Sequence, residues 1–433
     1  MIFSKYTYQF KYLERYYIYN SLSNSFAELD EETYLIIKKS RDTNYLAITD
    51  DKLLTSLTNM KVIVENDKDE INKIKYLNIL RRYEDRELAL TINPTLSCNF
   101  GCYYCFEHDH PNRFMNESVE NKIIEFIKSH IQAKILSVTW FGGEPLLAFD
   151  RIVSLTKKMQ ALGLKYKADM ISNGYLLTEN IISKLPSLHI SVIQITIDGL
   201  SSIHDKRRYL KNGKPTLERI LANIDLAQHL CPQVRINIRV NVDKGNKGDF
   251  VKLYAYFEKK HYPNVKVSLS FVKDITGCES CDSNFSCEQQ GEFAKEMLLK
   301  HGLDFSMVFP MSERKECFVR NKNAIVIGPE GELYKCWNDV GDKNKVVGDI
   351  DGKITNEALL LRYLLAADPF EDPKCQDCFL LPVCGGGCPY SRIQNEYEGT
   401  NINTCLFMKD HLEEFLIAHA EYKERLNKNS AKQ

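Results

Sequence analysis

Between Leu88 and about Val272, short runs of alternating apolar and polar residues recur, separated by stretches whose apolar positions fall three and four apart. The alternating runs predict strands at Leu88 to Ile92, Leu136 to Phe141, Lys165 to Ser172, Val192 to Ile197, Arg235 to Val242 and Val265 to Val272. Between the first two, Val119, Ile123, Ile124, Ile127 and Ile131 recur at helix spacing. Six strand–helix units imply a parallel sheet, and periodicity alone does not separate an open doubly wound sheet from a partial barrel. Ahead of this region, Tyr6, Tyr8 and Phe10, then Tyr17 and Tyr19, alternate as in paired strands. Leu29 to Lys39 opens with acidic residues, as a helix N-terminus favours. A short helix around Asp50 to Leu57, a strand at Lys61 to Val64 and a charged helical linker over Asp67 to Glu87 follow. The chain closes in a charged helical tail after Glu413.

Composition adds little to that pattern. With 433 residues, 44% hydrophobic and 27% charged, the chain has room for several domains and carries no signature of disorder. A formal net charge of −1 gives no electrostatic case for nucleic acid or an anionic membrane. No apolar run reaches the ~18 residues a membrane helix needs. The first twenty residues hold Lys5, Lys11, Glu14 and Arg15 among tyrosines, with no apolar signal core. The expectation is a cytoplasmic protein. Its fourteen cysteines are clustered at ligand spacings, which suits reduced thiolates on metal better than disulfides.

The first cluster is Leu96 to Glu107, LSCNFGCYYCFE, directly after the strand at Leu88 to Ile92. Cys98, Cys102 and Cys105 stand in a C-x3-C-x2-C spacing. Three thiolates on one tight loop suit an iron–sulfur cube with one iron open, whereas structural zinc wants four closed ligands; three unrelated cysteines or a zinc knuckle is the bland alternative. At these residues the sequence resembles the radical SAM superfamily, with Tyr104 as the aromatic before the third cysteine. The resemblance implies a [4Fe-4S] cluster on the three cysteines, S-adenosylmethionine on its open iron, and a 5′-deoxyadenosyl radical that abstracts hydrogen. It also favours the partial (β/α)6 TIM-like barrel, with the cofactor at the C-terminal strand ends. Later strand ends carry matching features. Phe141-Gly142-Gly143-Glu144-Pro145 is similar to the family's GGEP motif, which contacts the methionine amino group, and Ser172-Asn173-Gly174 is similar to its polar turn facing the cofactor. Asp198-Gly199, continuing through Ser202, Ile203, His204, Asp205, Lys206, Arg207 and Arg208, is similar to the segment after the fourth strand.

A second set of cysteines lies downstream. Cys278, Cys281 and Cys287 form C-x2-C-x5-C, which alone fits a zinc knuckle or unpaired thiols. Cys317, Gly331 and Cys336, then Cys375, Cys378, Cys384, Cys388 and Cys405, read C-x13-G-x4-C, gap, C-x2-C-x5-C-x3-C, gap, C. This long pattern resembles the SPASM domain of one radical SAM subgroup. The resemblance implies two auxiliary [4Fe-4S] clusters, three in all: an outer one on Cys375, Cys378, Cys384 and Cys405, and an inner one on Cys317, Cys336 and Cys388. The inner cluster is then one ligand short. Met311 stands where some members have a further cysteine, so Cys278, Cys281 or Cys287 completes it, or its iron stays open, or that segment holds metal of its own. Cys231, beside Pro232, reads as a structural thiol.

The organisation expected is a small winged-helix-like α+β module and linker over 1–85 and the radical SAM barrel over 86–275. A cysteine-containing bridge over 276–316, the SPASM domain over 317–410 and a helical tail over 411–433 complete it. Similar N-terminal modules in peptide-modifying members bind a leader peptide as an added strand; a plain stabilising extension is the alternative. The resemblance thus implies an α/β enzyme acting on a precursor peptide or protein, fed electrons by a donor such as flavodoxin or ferredoxin. The sulfatase-maturing branch carries its basic aspartate directly after the cysteine matching Cys336; here that residue is Trp337 and the nearest carboxylate is Asp339. The leading expectation is therefore a maturase that installs a thioether or carbon–carbon crosslink. An anaerobic sulfatase-maturing, formylglycine-generating enzyme is the second, and a zinc-stabilised binding protein the third. Asp339, Tyr334 and Asp198 are the candidate acid–base residues.

Overall fold

The computed structural model describes residues 1–43, 48–105, 107, 111–272, 284–303 and 317–430, the side chains as far as 424. The chain divides into two compact units, 83–285 with 318–364, and 1–82 with 286–317 and 365–433.

The larger unit is built on one sheet. Its parallel strands are β6 (Glu87–Ile92), β7 (Ile135–Trp140), β8 (Lys165–Ser172), β9 (Ile190–Thr196), β10 (Arg235–Val242) and β11 (Val265–Phe271), so all six expected strands form within two residues of their predicted ends. Each pairs in parallel with its successor in the chain, without the reversal of a doubly wound sheet. That one-way winding is the partial (β/α)6 barrel. Strand β12 (Ala324–Ile327), which the pattern did not flag, adds in parallel beside β6. The four residues of β12, AIVI, are too short a run to show a period. Strands β13 (Glu332–Tyr334) and β14 (Gly348–Asp349) then continue the sheet antiparallel. The helix Glu117–Ser129 buries Val119, Ile123, Ile124 and Ile127 as expected, capped by the Asn116 side chain on Val119 N. Ile131 is a correction: the helix ends at His130, leaving Ile131 beyond it and 78% exposed.

The smaller unit pairs β1 (Ile2–Phe3) with β5 (Ile63–Val64), and β2 (Thr7–Tyr12), β3 (Arg15–Asn20) and β4 (Ser25–Leu29) form an antiparallel sheet. The tyrosine alternation resolves into two faces. Ile18 and Ala27 turn to the helices Glu31–Thr43 and Asp51–Asn59, with Ile37, Leu53 and Leu57. Phe10, Tyr17 and Tyr19 turn the other way and are covered by Leu416 and Ala420 of the C-terminal helix Leu412–Ser430. Tyr8 and Tyr12 donate their hydroxyls to Glu413 and Glu421 of that helix, both at 2.5 Å, and Arg15 pairs with Glu424. The charged tail is therefore charged because its acidic side meets tyrosine hydroxyls. The helix Asp67–Arg82 ends in a largely buried ion pair, Arg82 to Asp368 at 2.5 Å. Among the described residues, no helix is long and apolar enough to cross a membrane.

Candidate functional site

Because the barrel strands are parallel, the residues that follow them collect at one end of the sheet. The cysteine loop follows β6. Cys98 is buried and Cys102 and Cys105 are half-buried; the Cys98 thiol feels the charge of Glu144, Cys102 and Cys105, and the Cys105 thiol that of Glu107, Cys102 and Arg208. Burial pushes the Cys98 and Cys105 thiols up to about 12, and raises Cys102 less because Arg208 opposes it. Thiols so placed ionise only against strong local positive charge.

The turn after β7 holds this loop in place. Gly142 has φ of +110°, and a Cβ there would meet Thr95 O at 2.3 Å. A Cβ on Gly143 would meet the carbonyl oxygens of Leu96 and Ser97, each at 2.4 Å. The two glycines thus serve close approach to the cysteine-loop backbone, tied by Glu144 N to Ser97 O at 2.9 Å. Glu144 is wholly buried and its carboxylate accepts from Asn173 N (2.7 Å), Ser172 Oγ (2.8 Å) and Leu146 N (3.0 Å). Burial raises its pKa and those donors partly offset the shift. Pro145 opens the short helical turn Pro145–Ala148. Asn173 also donates to Asn99 Oδ1 inside the cysteine loop, at 2.8 Å.

On the other side, Asp198 follows β9 and is 0% exposed. It accepts from the Tyr104 hydroxyl at 2.5 Å, from Arg207 Nε at 3.1 Å and from Asn241 N at 3.3 Å. Arg207 reaches on to Asp243, past the end of β10, at 2.8 Å and to the Tyr103 hydroxyl at 2.7 Å. Burial works against its charge, but the two aspartates hold its pKa above the ordinary arginine value. Arg208 donates to the Tyr104 hydroxyl at 2.8 Å, while its buried Nε has no partner among the described residues. His204 is neutral: burial, then the two arginines, depress its pKa, and its ring bonds Asp198 N and Thr216 Oγ1.

The structure therefore brings together Cys98, Cys102, Cys105, Tyr104, Gly142, Gly143, Glu144, Pro145, Ser172, Asn173 and Asp198. Arg207, Arg208 and Asp243 join them without having been singled out as site residues. Their signal was the Lys206-Arg207-Arg208 run two residues beyond His204. One buried and two half-buried thiols, a glycine turn packed on their loop and an orphaned arginine nitrogen beside Cys102 are a donor set that fits a cluster with an anionic ligand.

Of the candidate acid–base residues, Asp339 is 1% exposed and accepts from the Tyr363 hydroxyl at 2.6 Å. Tyr334 is likewise 1% exposed, and burial raises its pKa. Trp337, by contrast, is 44% exposed and lies tilted against Phe141 with ring centroids 5.8 Å apart. Of the downstream cysteines, Cys336 belongs to the larger unit and Cys287, Cys317, Cys375, Cys378, Cys384, Cys388 and Cys405 to the smaller. Cys278, Cys281 and Met311 lie outside the described residues. In the smaller unit, Cys375 packs on the cluster of Tyr6, Ile74, Phe370 and Leu381. The Tyr6 hydroxyl is buried there without a partner among the described residues, and it feels the charge of Cys378. Cys287 Sγ stands 3.8 Å from the Cys405 carbonyl. Cys231 donates to Ile182 O at 3.3 Å in the barrel wall, as a structural thiol would.

Residues 92–257 match the family model of the radical SAM superfamily. A cysteine-type anaerobic sulfatase-maturating enzyme of Clostridium novyi is 23% identical over 350 residues, covering 73% of this chain and 92% of that one. The solved structure of native anSMEcpe with bound AdoMet superposes with a TM-score of 0.63 at 19% identity, covering 79% of this chain and 99% of that one. Streptococcus suis SuiB bound to precursor peptide SuiA superposes with a TM-score of 0.51 at 15% identity, covering 89% and 95%. At these identities the structural likenesses bear on the fold.

Proposed function

We infer, from the premise that this chain is a radical SAM protein through residues 92–257, that it is a peptide maturase installing a thioether or carbon–carbon crosslink on a precursor peptide. When bound together, the [4Fe-4S] cluster and S-adenosylmethionine supply one-electron chemistry ending in hydrogen abstraction by a 5′-deoxyadenosyl radical. Cys98, Cys102 and Cys105 would hold the cluster. Gly142 to Pro145, Ser172, Asn173, Tyr104 and Asp198 would line the cofactor. Burial of Glu144 and Asp198 keeps that cradle dry and its hydrogen bonds rigid, which positioning catalysis requires.

Cys375, Cys378, Cys384 and Cys405 would carry an outer auxiliary cluster, and Cys317, Cys336 and Cys388 an inner one, with a flavodoxin or ferredoxin supplying electrons. The module around β2, β3 and β4 would receive the leader peptide. In support, β4 pairs only with β3 among the described residues, leaving an edge on which a strand adds.

The observation that carries the crosslinking reading is at Cys336. The residue after it is an exposed tryptophan, and the nearest carboxylate in sequence, Asp339, is buried against Tyr363. The position that carries the base in the sulfatase-maturing branch therefore holds no carboxylate here. The second reading, formylglycine formation, is favoured by the Clostridium novyi relative and shares every cofactor residue above. Anaerobic co-expression with a sulfatase decides between them. Inactive, unmodified sulfatase is expected, together with 5′-deoxyadenosine release and a loss of two hydrogens when the reconstituted enzyme meets its own precursor peptide. An active sulfatase would overturn the crosslinking reading in favour of the second.

A further inference from the structure

Trp337 is one of two tryptophans in the chain, and the other, Trp140, is wholly buried at the end of β7. A side chain of that size with 44% of its surface open carries an apolar cost unless something covers it. Its surroundings do not let it fold away. Its backbone lies in a tight turn closed by Asp339 N to Cys336 O (3.1 Å) and Val340 N to Trp337 O (3.2 Å). The turn is pinned at both ends: Cys336 is 5% exposed, and Val340 packs into a core with Leu96 of the cysteine loop. Asp339 is anchored by Tyr363. The ring is supported by Phe141, tilted against it, the first residue past β7 and the one that opens the Gly142–Glu144 turn. Phe141 is itself fixed by its N–H to Ile92 O at 3.0 Å.

The result is an aromatic step whose Phe141 opens the glycine turn after β7 and whose Trp337 turn packs through Val340 on Leu96 of the cysteine loop, and its adjoining carboxylate, Asp339, is turned inward to Tyr363. We propose that Trp337, backed by Phe141, is a specificity-determining residue that receives an aromatic or large aliphatic side chain of the substrate peptide beside the reacting residue. This rests on the peptide-maturase reading and narrows its substrate class. The chemistry that recognises the peptide is ring contact and apolar burial, because what the step presents is an indole ring rather than a charge. Two rings held by separate loops also fix the angle at which a third enters, so the step orients as well as binds.

The test uses the full, cluster-reconstituted enzyme with S-adenosylmethionine bound and two ten-residue Gly/Ser peptides that differ only in a central Tyr or Ser. Titration calorimetry is expected to give about tenfold tighter binding of the Tyr peptide, the scale of one buried aromatic contact. The ratio falls to about two or less in Trp337→Ala and is retained in Trp337→Phe, while S-adenosylmethionine affinity is the same in all three proteins. Equal binding of the two peptides by the wild type, or an unchanged ratio in Trp337→Ala, overturns the proposal. So does a variant that loses S-adenosylmethionine affinity and keeps its peptide ratio, because Trp337 then serves the cofactor. Failure of the radical SAM reading shows separately, as wild-type enzyme that binds no iron or releases no 5′-deoxyadenosine.

Discussion

The Tyr104 hydroxyl, in the middle of the cysteine loop, donates to Asp198 at the end of β9 across 2.5 Å, and Arg207 closes on the same carboxylate from the other side at 3.1 Å. One buried carboxylate thus ties the loop that carries the thiols to the ends of β9 and β10. Replacing it removes the carboxylate the two donors share. Asp198→Asn leaves Arg207 with Asp243 as its remaining anion and is expected to destabilise the larger unit by about 3 kcal/mol, the scale for breaking a buried pair from one side. Anaerobic urea unfolding of the reconstituted protein measures it. A loss under about 1 kcal/mol would mean that Asp198 is solvated rather than shared.

Gly143→Ala tests the packing between the cysteine loop and the turn after β7. The added Cβ would sit 2.4 Å from two carbonyl oxygens of the cysteine loop, backbone atoms that cannot swing aside as a side chain does. The loop has to move, and its three thiols with it. Iron is expected to fall by about four per chain after reconstitution, one [4Fe-4S] cluster. Undiminished iron and sulfide would show that the loop tolerates the shift.

The parts of this molecule that can be read in the sequence are those with a short period or a fixed spacing. Strands β6 to β11 alternate over six to eight residues and lie close to their expected ends, and Cys98, Cys102 and Cys105 announce themselves by spacing. Strand β12 stays hidden because four apolar residues show no period, although it pairs in register with β6 through Ala324 to Ile327. Arg207, though it lies in the segment matched after the fourth strand, is not singled out as a site residue for a different reason. An arginine between Lys206 and Arg208 looks like solvated charge, and only the tertiary fold brings Asp243, 36 residues on, within 2.8 Å of it. The same holds for the tail, whose acidic residues acquire a meaning only when Tyr8 and Tyr12, some four hundred residues earlier, are laid against it.

The smaller unit should carry its own pH dependence. His419, on the C-terminal helix, packs edge-on to Phe26 with centroids 5.2 Å apart, and burial, aided by Lys423, lowers its pKa to about 4. In the unfolded chain a histidine titrates near 6.5. Between about pH 6.5 and 4 the unfolded state binds the proton and the native state does not, so this group leaves stability unchanged above pH 6.5 and subtracts from it progressively as pH falls to about 4. His419→Phe should flatten that part of the profile while keeping the ring contact. Thermal melts from about pH 4.5 to 7.5 compare the two; parallel curves would show that His419 titrates in the fold as it does in the unfolded chain.

Tyr6 connects the N-terminal module to the downstream cysteines. Its ring is fully buried with Ile74, Phe370 and Leu381, Cys375 packs on that group, and its hydroxyl has no partner among the described residues. A buried hydroxyl left so would cost about 1–3 kcal/mol, so a thiolate or sulfide acceptor at Cys375 and Cys378 is the natural complement. Hydrogen bonds to cluster sulfur stabilise the reduced, more negative form and raise the potential. If Cys375 and Cys378 hold the proposed outer cluster, Tyr6→Phe is expected to leave iron content and the signal from the Cys98–Cys105 loop intact and to lower that cluster's potential, read by a redox titration followed by electron paramagnetic resonance. The same variant without any metal bound should gain stability, because the orphaned group is gone. An unchanged potential together with a less stable metal-free protein would show that the hydroxyl has a partner within the protein and none on the cluster.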